Sequence, residues 1–344
     1  MIPAKVLHLQ ALLGKEEATY GTALTLTASV DGLQMQFAAD DTAVVFTPKY
    51  VSDGDVGPSI SSLGTISRVS PTGLYYDGTI PALMRLPASA YSATVLPGLH
   101  RLIKMAGFDA AVTTSAGTEK WVYTPTNGAV QATSLTLQGY QRGETIILPG
   151  AIGNLQIAAK NGKPPIFSFP TSAIGAFPSD AAALPAGLVY PNQAVPPLTN
   201  TSVTMVFGSF SANGVLKSWD FDFGRKYSNA RMNFALANPH AGFIPSARVP
   251  VLKLVLEATA LVGAPYHSSV GFDPYHLWDA ATELGLVSIK VGGTQYNRYT
   301  VAFNQAQVTN IVPQGEGPTA TVEITVTPHC SSPVANDDVT ITCD

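Results

Sequence analysis

The sequence predicts a mainly β chain built as two tandem, helix-flanked β-sandwich domains, and three observations predict it. Charged residues make up only 12 % of 344, while Gly (30) and Pro (26) are plentiful and Thr, Val, Ala and Ser recur, which favours strands and turns over helices. Apolar and polar residues alternate along most of the chain, and only two segments carry convincing helix signals. Three short patterns recur in the same order at offsets of 186, 178 and 176 residues, the drift that loop insertions give a tandem duplication.

The first pattern pairs "GLQMQFA" (Gly32–Ala38) with "SWDFDFG" (Ser218–Gly224). It places Leu33, Met35 and Phe37 opposite Trp219, Phe221 and Phe223 as core-facing anchors of equivalent strands. The second is a helix, "PGLHRLIKMAG" (Pro97–Gly107), matched by "DPYHLWDAATELG" (Asp273–Gly285). Each has Pro at its start and Gly just past its end, and Asp273 is the expected N-cap of the second. The third pairs "QATSLTLQG" (Gln131–Gly139) with "QVTNIVPQG" (Gln307–Gly315).

Strands are expected near Leu33–Phe37, Tyr75–Leu86, Lys120–Tyr123, Ser134–Tyr140, Asn154–Ala158 and Ile166–Phe169 in the first half. The second half should carry them near Val203–Phe207, Leu216–Phe223, Val249–Glu257, Leu286–Val291, Arg298–Phe303, Gln307–Val312, Thr319–Thr327 and Asp338–Thr342. A proline-rich, uncharged linker (Pro185–Ser202) puts the boundary near Pro191, giving domains 1–190 and 191–344. The Pro-rich "NGKPPIFSFPTSAIGAFP" suggests a looser sandwich in the first half.

One stretch, Ala39–Gly64, is rich in Asp, Gly and Pro and long for a loop inside a compact domain. It reads either as an arm reaching a neighbouring subunit, with Val44, Val45 and Phe46 as the apolar contact, or as a surface excursion.

Net charge is −4, with 11 basic and 11 acidic residues up to Ser172 and 8 against 12 beyond it, so nothing here attracts a phosphate backbone. Low charge beside 46 % hydrophobic residues argues for a surface covered by other copies of the chain. No run approaches the about 20 apolar residues of a membrane helix. The amino terminus makes a poor signal peptide, so synthesis and folding in a cytosol are expected. Cys330 and Cys343 either close a carboxyl-terminal loop or stay free and buried, as a reducing compartment favours.

No nucleophile elbow, phosphate loop, H-E-x-x-H or C-x-x-C motif occurs. His329, Cys330 and Cys343 fit no zinc spacing. Asn336-Asp337-Asp338 reads as an Asx turn before the last strand rather than a calcium site. His267 and His276, near Asp273 and Asp279, lack a nucleophile with motif context, and "GRKYSNAR" (Gly224–Arg231) reads as a solvated hairpin turn. The expectation is a protein that is no enzyme, with no cofactor and no metal.

"KEEATYGT" (Lys15–Thr22) resembles the amino-terminal signature of the tail tube proteins, or major tail proteins, of long-tailed bacteriophages. "LHRLIKMAGF" (Leu99–Phe108) resembles their single helix. "GFIPSARVPVLKLVLEA", "LWDAATELGLVSIKVGGTQYNRYTVAFNQAQVTNI" and the closing "NDDVTITCD" are similar to that family's carboxyl-terminal order of strand, helix, hairpin and final strand. The resemblance implies a structural protein of the virion tail, made in the host cytoplasm, whose rings stack into a hollow tube that delivers the genome. It implies self-assembly, with a duplicated chain forming a pseudo-sixfold trimer where a single-domain chain forms a hexamer. The implied partners are a tape measure protein in the lumen during assembly, tail terminator and baseplate or tip proteins at the ends, and DNA in transient, non-specific passage, with no membrane. The other reading is a secreted or surface two-domain β-sandwich adhesin.

Overall fold

The computed structural model describes residues 9–35, 46–52, 59–61, 64–66, 71–126, 133–141, 143–175, 177–180, 184–192, 194–200, 202–208, 216–232, 240–257, 274–279, 281, 283–316, 319–331 and 336–344. The first half carries β1 (Leu9–Glu16), α1 (Ala28–Asp31), β2 (Thr47–Ser52), β3 (Ser59–Ser61), β4 (Gly64–Ile66), β5 (Pro71–Leu83), α2 (His100–Met105), β6 (Phe108–Thr113) and β7 (Lys120–Pro125). It continues with β8 (Leu135–Gln141), β9 (Glu144–Gly153), β10 (Gln156–Lys160), β11 (Ile166–Ile174) and β12 (Ser179–Asp180). The second half carries β13 (Val203–Phe207), β14 (Leu216–Asp222), β15 (Arg225–Met232), β16 (His240–Arg248), β17 (Val251–Glu257) and α3 (Pro274–Asp279). It closes with β18 (Val287–Thr294), β19 (Asn297–Phe303), β20 (Ala306–Glu316), β21 (Thr319–Pro328) and β22 (Thr340–Cys343).

The chain is mainly β, and its sheets are antiparallel. The larger sheet has twelve strands along the path β1-β8-β9-β11-β10-β14-β17-β21-β20, with β2, β5 and β12 attached beside it. The smaller has six, in the order β13-β18-β19-β22-β7-β6. Alternation explains the layers. In β14, Trp219 and Phe221 are buried while Asp220 is exposed, and in β17 Leu252, Leu254 and Leu256 are buried while Lys253 is exposed. Aromatic contacts join the two sheets: Phe221 to Phe303, Phe167 to Tyr299 and Phe108 to Phe223, at centroid distances of 6.0, 5.4 and 4.3 Å.

Two of those three contacts cross between the sequence halves. β10 also pairs with β14, and β22 lies between β19 and β7. The boundary near Pro191 therefore does not separate two cores, and one buried cluster runs through both halves. Within this single core the order helix, hairpin, hairpin occurs twice. After α2, β6–β7 enters the small sheet and β8–β9 the large one; after α3, β18–β19 and β20–β21 do the same. Gly107 and Gly285, which follow the two helices, both have positive φ (103° and 65°). The third pattern also lands on matching strands, with Gly139 in β8 and Gly315 in β20.

The first pattern does not. Trp219 and Phe221 sit in β14, with Phe223 directly after it, whereas Leu33 and Met35 lie in an irregular stretch after α1, and Phe37 is outside the described residues. Leu33 is buried against β1, over Gly14, where an added Cβ would come within 2.4 Å of its side chain. Its backbone only caps the β1 edge, through the Leu33 N–H to the Leu12 carbonyl (2.9 Å) and a bridge from Gly32 to Leu13. The expected residues Leu33 and Met35 are buried, but so is Gln34 between them, so the stretch is covered on both sides rather than half-buried like a strand with one open face.

Both helices are shorter than their patterns. α3 ends before Ala281, which takes a φ of 49°, a left-handed conformation that no helix continues through. The Pro-rich end of the first half is a central strand, not a loose one: Phe167 and Phe169 are fully buried in β11. Pro170 is tolerated there because β11 changes neighbour at that point, from β10 (Gln156 to Ser168) to β9 (Gly153 to Thr171).

Candidate functional site

The large sheet buries one face and leaves the other open, and the open face is polar. Lys160 of β10, Asp220 and Asp222 of β14, Lys253 and Glu257 of β17 and Glu323 of β21 alternate with the core residues of the same strands. They neutralise one another across strands. Lys217 pairs with Glu257 and Lys253 with Glu323, each at 3.3 Å, and Gln314 Nε2 donates to Glu323 (2.7 Å). Asp222 accepts from Asn154 (2.8 Å), Gln156 (3.0 Å) and the Gly224 N–H (2.8 Å). Partial burial raises the Asp220 pKa, opposed by Lys253 and reinforced by Glu323. On β10, β14, β17 and β21 three lysines thus face four carboxylates among the described residues, so this part of the face has no excess positive charge with which to grip a polyanion.

β2, paired only with β5, ends one branch of this sheet among the described residues, and β1 and β20 end two others, each hydrogen-bonded to one strand neighbour. Each is capped at one point only, β1 at Leu13 by Gly32 and β20 at Gln307 by Glu283. Beyond Gln307, β20 runs on to Glu316 with Thr309, Asn310, Val312 and Pro313 exposed. An open edge of this length is a template for another strand.

The "KEEATYGT" stretch and the first helix, far apart in sequence, are brought together at the β1 end. Lys104 of α2 pairs with Glu16, and Arg101 pairs with Asp31 (3.2 Å) while donating to the Gly14 carbonyl (2.7 Å). Glu17 is the centre of the arrangement. Its carboxylate accepts from the Gly21 N–H (2.8 Å), Ser134 Oγ (2.7 Å), Thr136 Oγ1 (2.7 Å) and the Gly150 N–H (2.8 Å). Tyr20 reaches the second half, its hydroxyl accepting from the Phe243 N–H (2.9 Å). Glu17 was not singled out from sequence; its spacing of four from Gly21 inside the quoted motif was the available signal.

Of the expected subunit-contact residues, Val44 and Val45 lie outside the described residues. Phe46 is placed otherwise: it is buried in the chain's own core, 2 % exposed, directly before β2 pairs with β5. It has no surface to offer a neighbour. "GRKYSNAR" is not a turn either but opens β15, paired with β16, and Arg225 is half-buried.

The polar candidates are spoken for. His329 pairs with Glu283 (2.9 Å), Asp338 with Arg248 (2.7 Å), and Asp337 accepts from Ser331, which lowers its pKa. Cys330 and Cys343 are free thiols. Among the described residues no three His, Cys, Asp or Glu side chains could hold a metal, and no helix is long and apolar enough to cross a membrane. His267, Asp273 and the His276 side chain lie outside the described residues. No protein-family model and no curated protein matches the chain.

Proposed function

We propose that this chain is a structural subunit that assembles edge to edge into rings, stacked as the tail tube of a long-tailed bacteriophage. The observation that carries the reading is the large sheet itself, continuous through both halves by the β10–β14 pairing, with the outer edge of β20 open among the described residues and its free face lined by mutually neutralised side chains. Joining β20 of one copy to the β1 end of the next would pair both of those edges in the closed ring.

The three-copy ring follows from reading the repeated helix, hairpin, hairpin order as a tandem duplication, which gives each subunit two similar lobes and the ring pseudo-sixfold symmetry. In this reading the polar face lines the lumen. It first encloses a tape measure protein and later lets DNA slide, while tail terminator and baseplate or tip proteins close the ends. The subunit would be made in the host cytoplasm, act in the virion and catalyse nothing. Electron microscopy of the purified full chain tests the reading: rings or tubes of uniform bore support it, and a monomer at every concentration opposes it.

A further inference from the structure

A cavity of about 450 Å³ lies where the β16–β17 turn, the end of β21 and the segment before β22 meet Gly107 and Thr126 of the first half. Two arginines line it, in different electrostatic states. Arg248 is neutralised by a bidentate pair with Asp338, Nε to Oδ2 at 3.0 Å and Nη2 to Oδ1 at 2.7 Å. Among the described residues Arg225 has no ion pair, and its Nη1 is shielded from solvent and finds no acceptor there. Its close neighbours are the Tyr227 ring (5.1 Å from the guanidinium), Gly107 and, as a like charge, Arg248.

A guanidinium does not shed its proton in a protein, and a buried charge without a counter-charge is strongly unfavourable. The chain nevertheless makes room for this one. Gly107 has a φ of 103°, and a Cβ there would lie 1.6 Å from Arg225 Nη1, so the residue that ends α2 also seats the guanidinium. The lining carries two arginines against the single carboxylate of Asp338, and Ser246 and Asn336 add hydrogen-bonding groups.

We propose that this cavity is a binding site for an oxyanion of the phosphate or carboxylate class, with Arg225 as its counter-charge and the Asp338-anchored Arg248 as the fixed opposite wall. The volume exceeds that of a bare ion and accommodates a small phosphate ester, a dicarboxylate, or the carboxylate of an acidic side chain from a second copy. This inference stands apart from the tube reading, because it rests on an unpaired charge within one subunit.

The test is isothermal calorimetry of the full chain, in dispersed form, with sodium phosphate and separately with sodium succinate, against sodium chloride at equal ionic strength. The expected result is one saturable site per chain with a Kd of about 1 mM or tighter for at least one oxyanion, and none for chloride. The thermal transition should rise with the logarithm of oxyanion concentration. Arg225→Met should abolish both effects, yet melt no lower than wild type in chloride alone, since it removes an unpaired buried charge. Binding that persists in assembled protein points to a free anion; binding lost on assembly, with oxyanion slowing assembly, points to a carboxylate from a second copy. Absence of saturable binding by wild-type protein overturns the proposal even if Arg225→Met fails to fold, and an unchanged oxyanion response in a folded Arg225→Met overturns it too.

Discussion

Glu17→Gln is the substitution that interrogates the amino-terminal staple most sharply, because it keeps the side chain's shape and removes only its charge and one acceptor. The wild-type carboxylate takes two backbone N–H groups, Gly21 and Gly150, one on each oxygen, and two hydroxyls, Ser134 and Thr136. An amide must turn its NH₂ towards one of those N–H donors whichever way it is flipped. The hydroxyls can rotate to accept, but a backbone N–H cannot. One charge-assisted bond is therefore lost outright, and the others become ordinary. Hydrogen bonds to charged groups contribute about 1.5–3 kcal/mol and neutral ones about 1, so a loss of roughly 2–4 kcal/mol is expected, reduced towards the lower figure by the partial exposure of the site. Urea unfolding followed by tryptophan fluorescence measures it. Glu17→Gln within about 0.5 kcal/mol of wild type, the range of an ordinary surface change, would refute the staple as a source of stability.

Asp338→Asn should cost about 2–3 kcal/mol in the same assay by leaving Arg248 partly buried and half-paired, while the joint change Arg248→Met and Asp338→Leu should recover most of it. His100, buried with Nδ1 bonded to the Tyr123 hydroxyl (2.9 Å), has its pKa lowered by burial from 6.5 to about 4. The unfolded chain then binds the extra proton between those values. Stability should fall as pH drops from about 6.5 to about 4, by up to about 3 kcal/mol, and His100→Gln should flatten that window. Burial pushes the Cys343 thiol well up, whereas Cys330 is partly exposed, so a thiol reagent should modify one cysteine per native chain and the second only after unfolding.

The strands that sequence reading located best are those with one buried and one open face. Val203–Phe207 coincides with β13, and the alternation of Trp219, Asp220, Phe221 and Asp222 carries straight into β14. Strands without clean alternation were not legible. β9 is buried on both faces towards its end, with Gly150 to Gly153 all buried, and β15 begins with two basic residues, one of which turns inward beneath Gly107. Leu33 and Met35 show the opposite failure: the pattern was present, but the stretch is buried on both sides and bonds its backbone to β1 at a single point instead of joining a ladder. The same limit hid the single core. Nothing in β10 or β14 taken separately announces that they pair across the linker.

The polar site groups were legible as residues but not as partners. Glu17 sat inside a quoted motif, yet its donors Ser134 and Gly150 lie more than a hundred positions downstream. Phe46 was assigned outward because of the Asp, Gly and Pro around it, when a single large apolar residue beside a strand start is what a core recruits.

The central claim, a duplicated subunit that closes into a tube through the ends of its large sheet, is tested most directly by symmetry analysis of assembled particles in cryo-electron microscopy. The account predicts rings of three chains, with threefold density in which each chain shows two distinguishable lobes and the ladder runs unbroken from β20 of one copy into the β1 end of the next. Six whole chains per ring, or rings in which those strands remain unpaired, would contradict it.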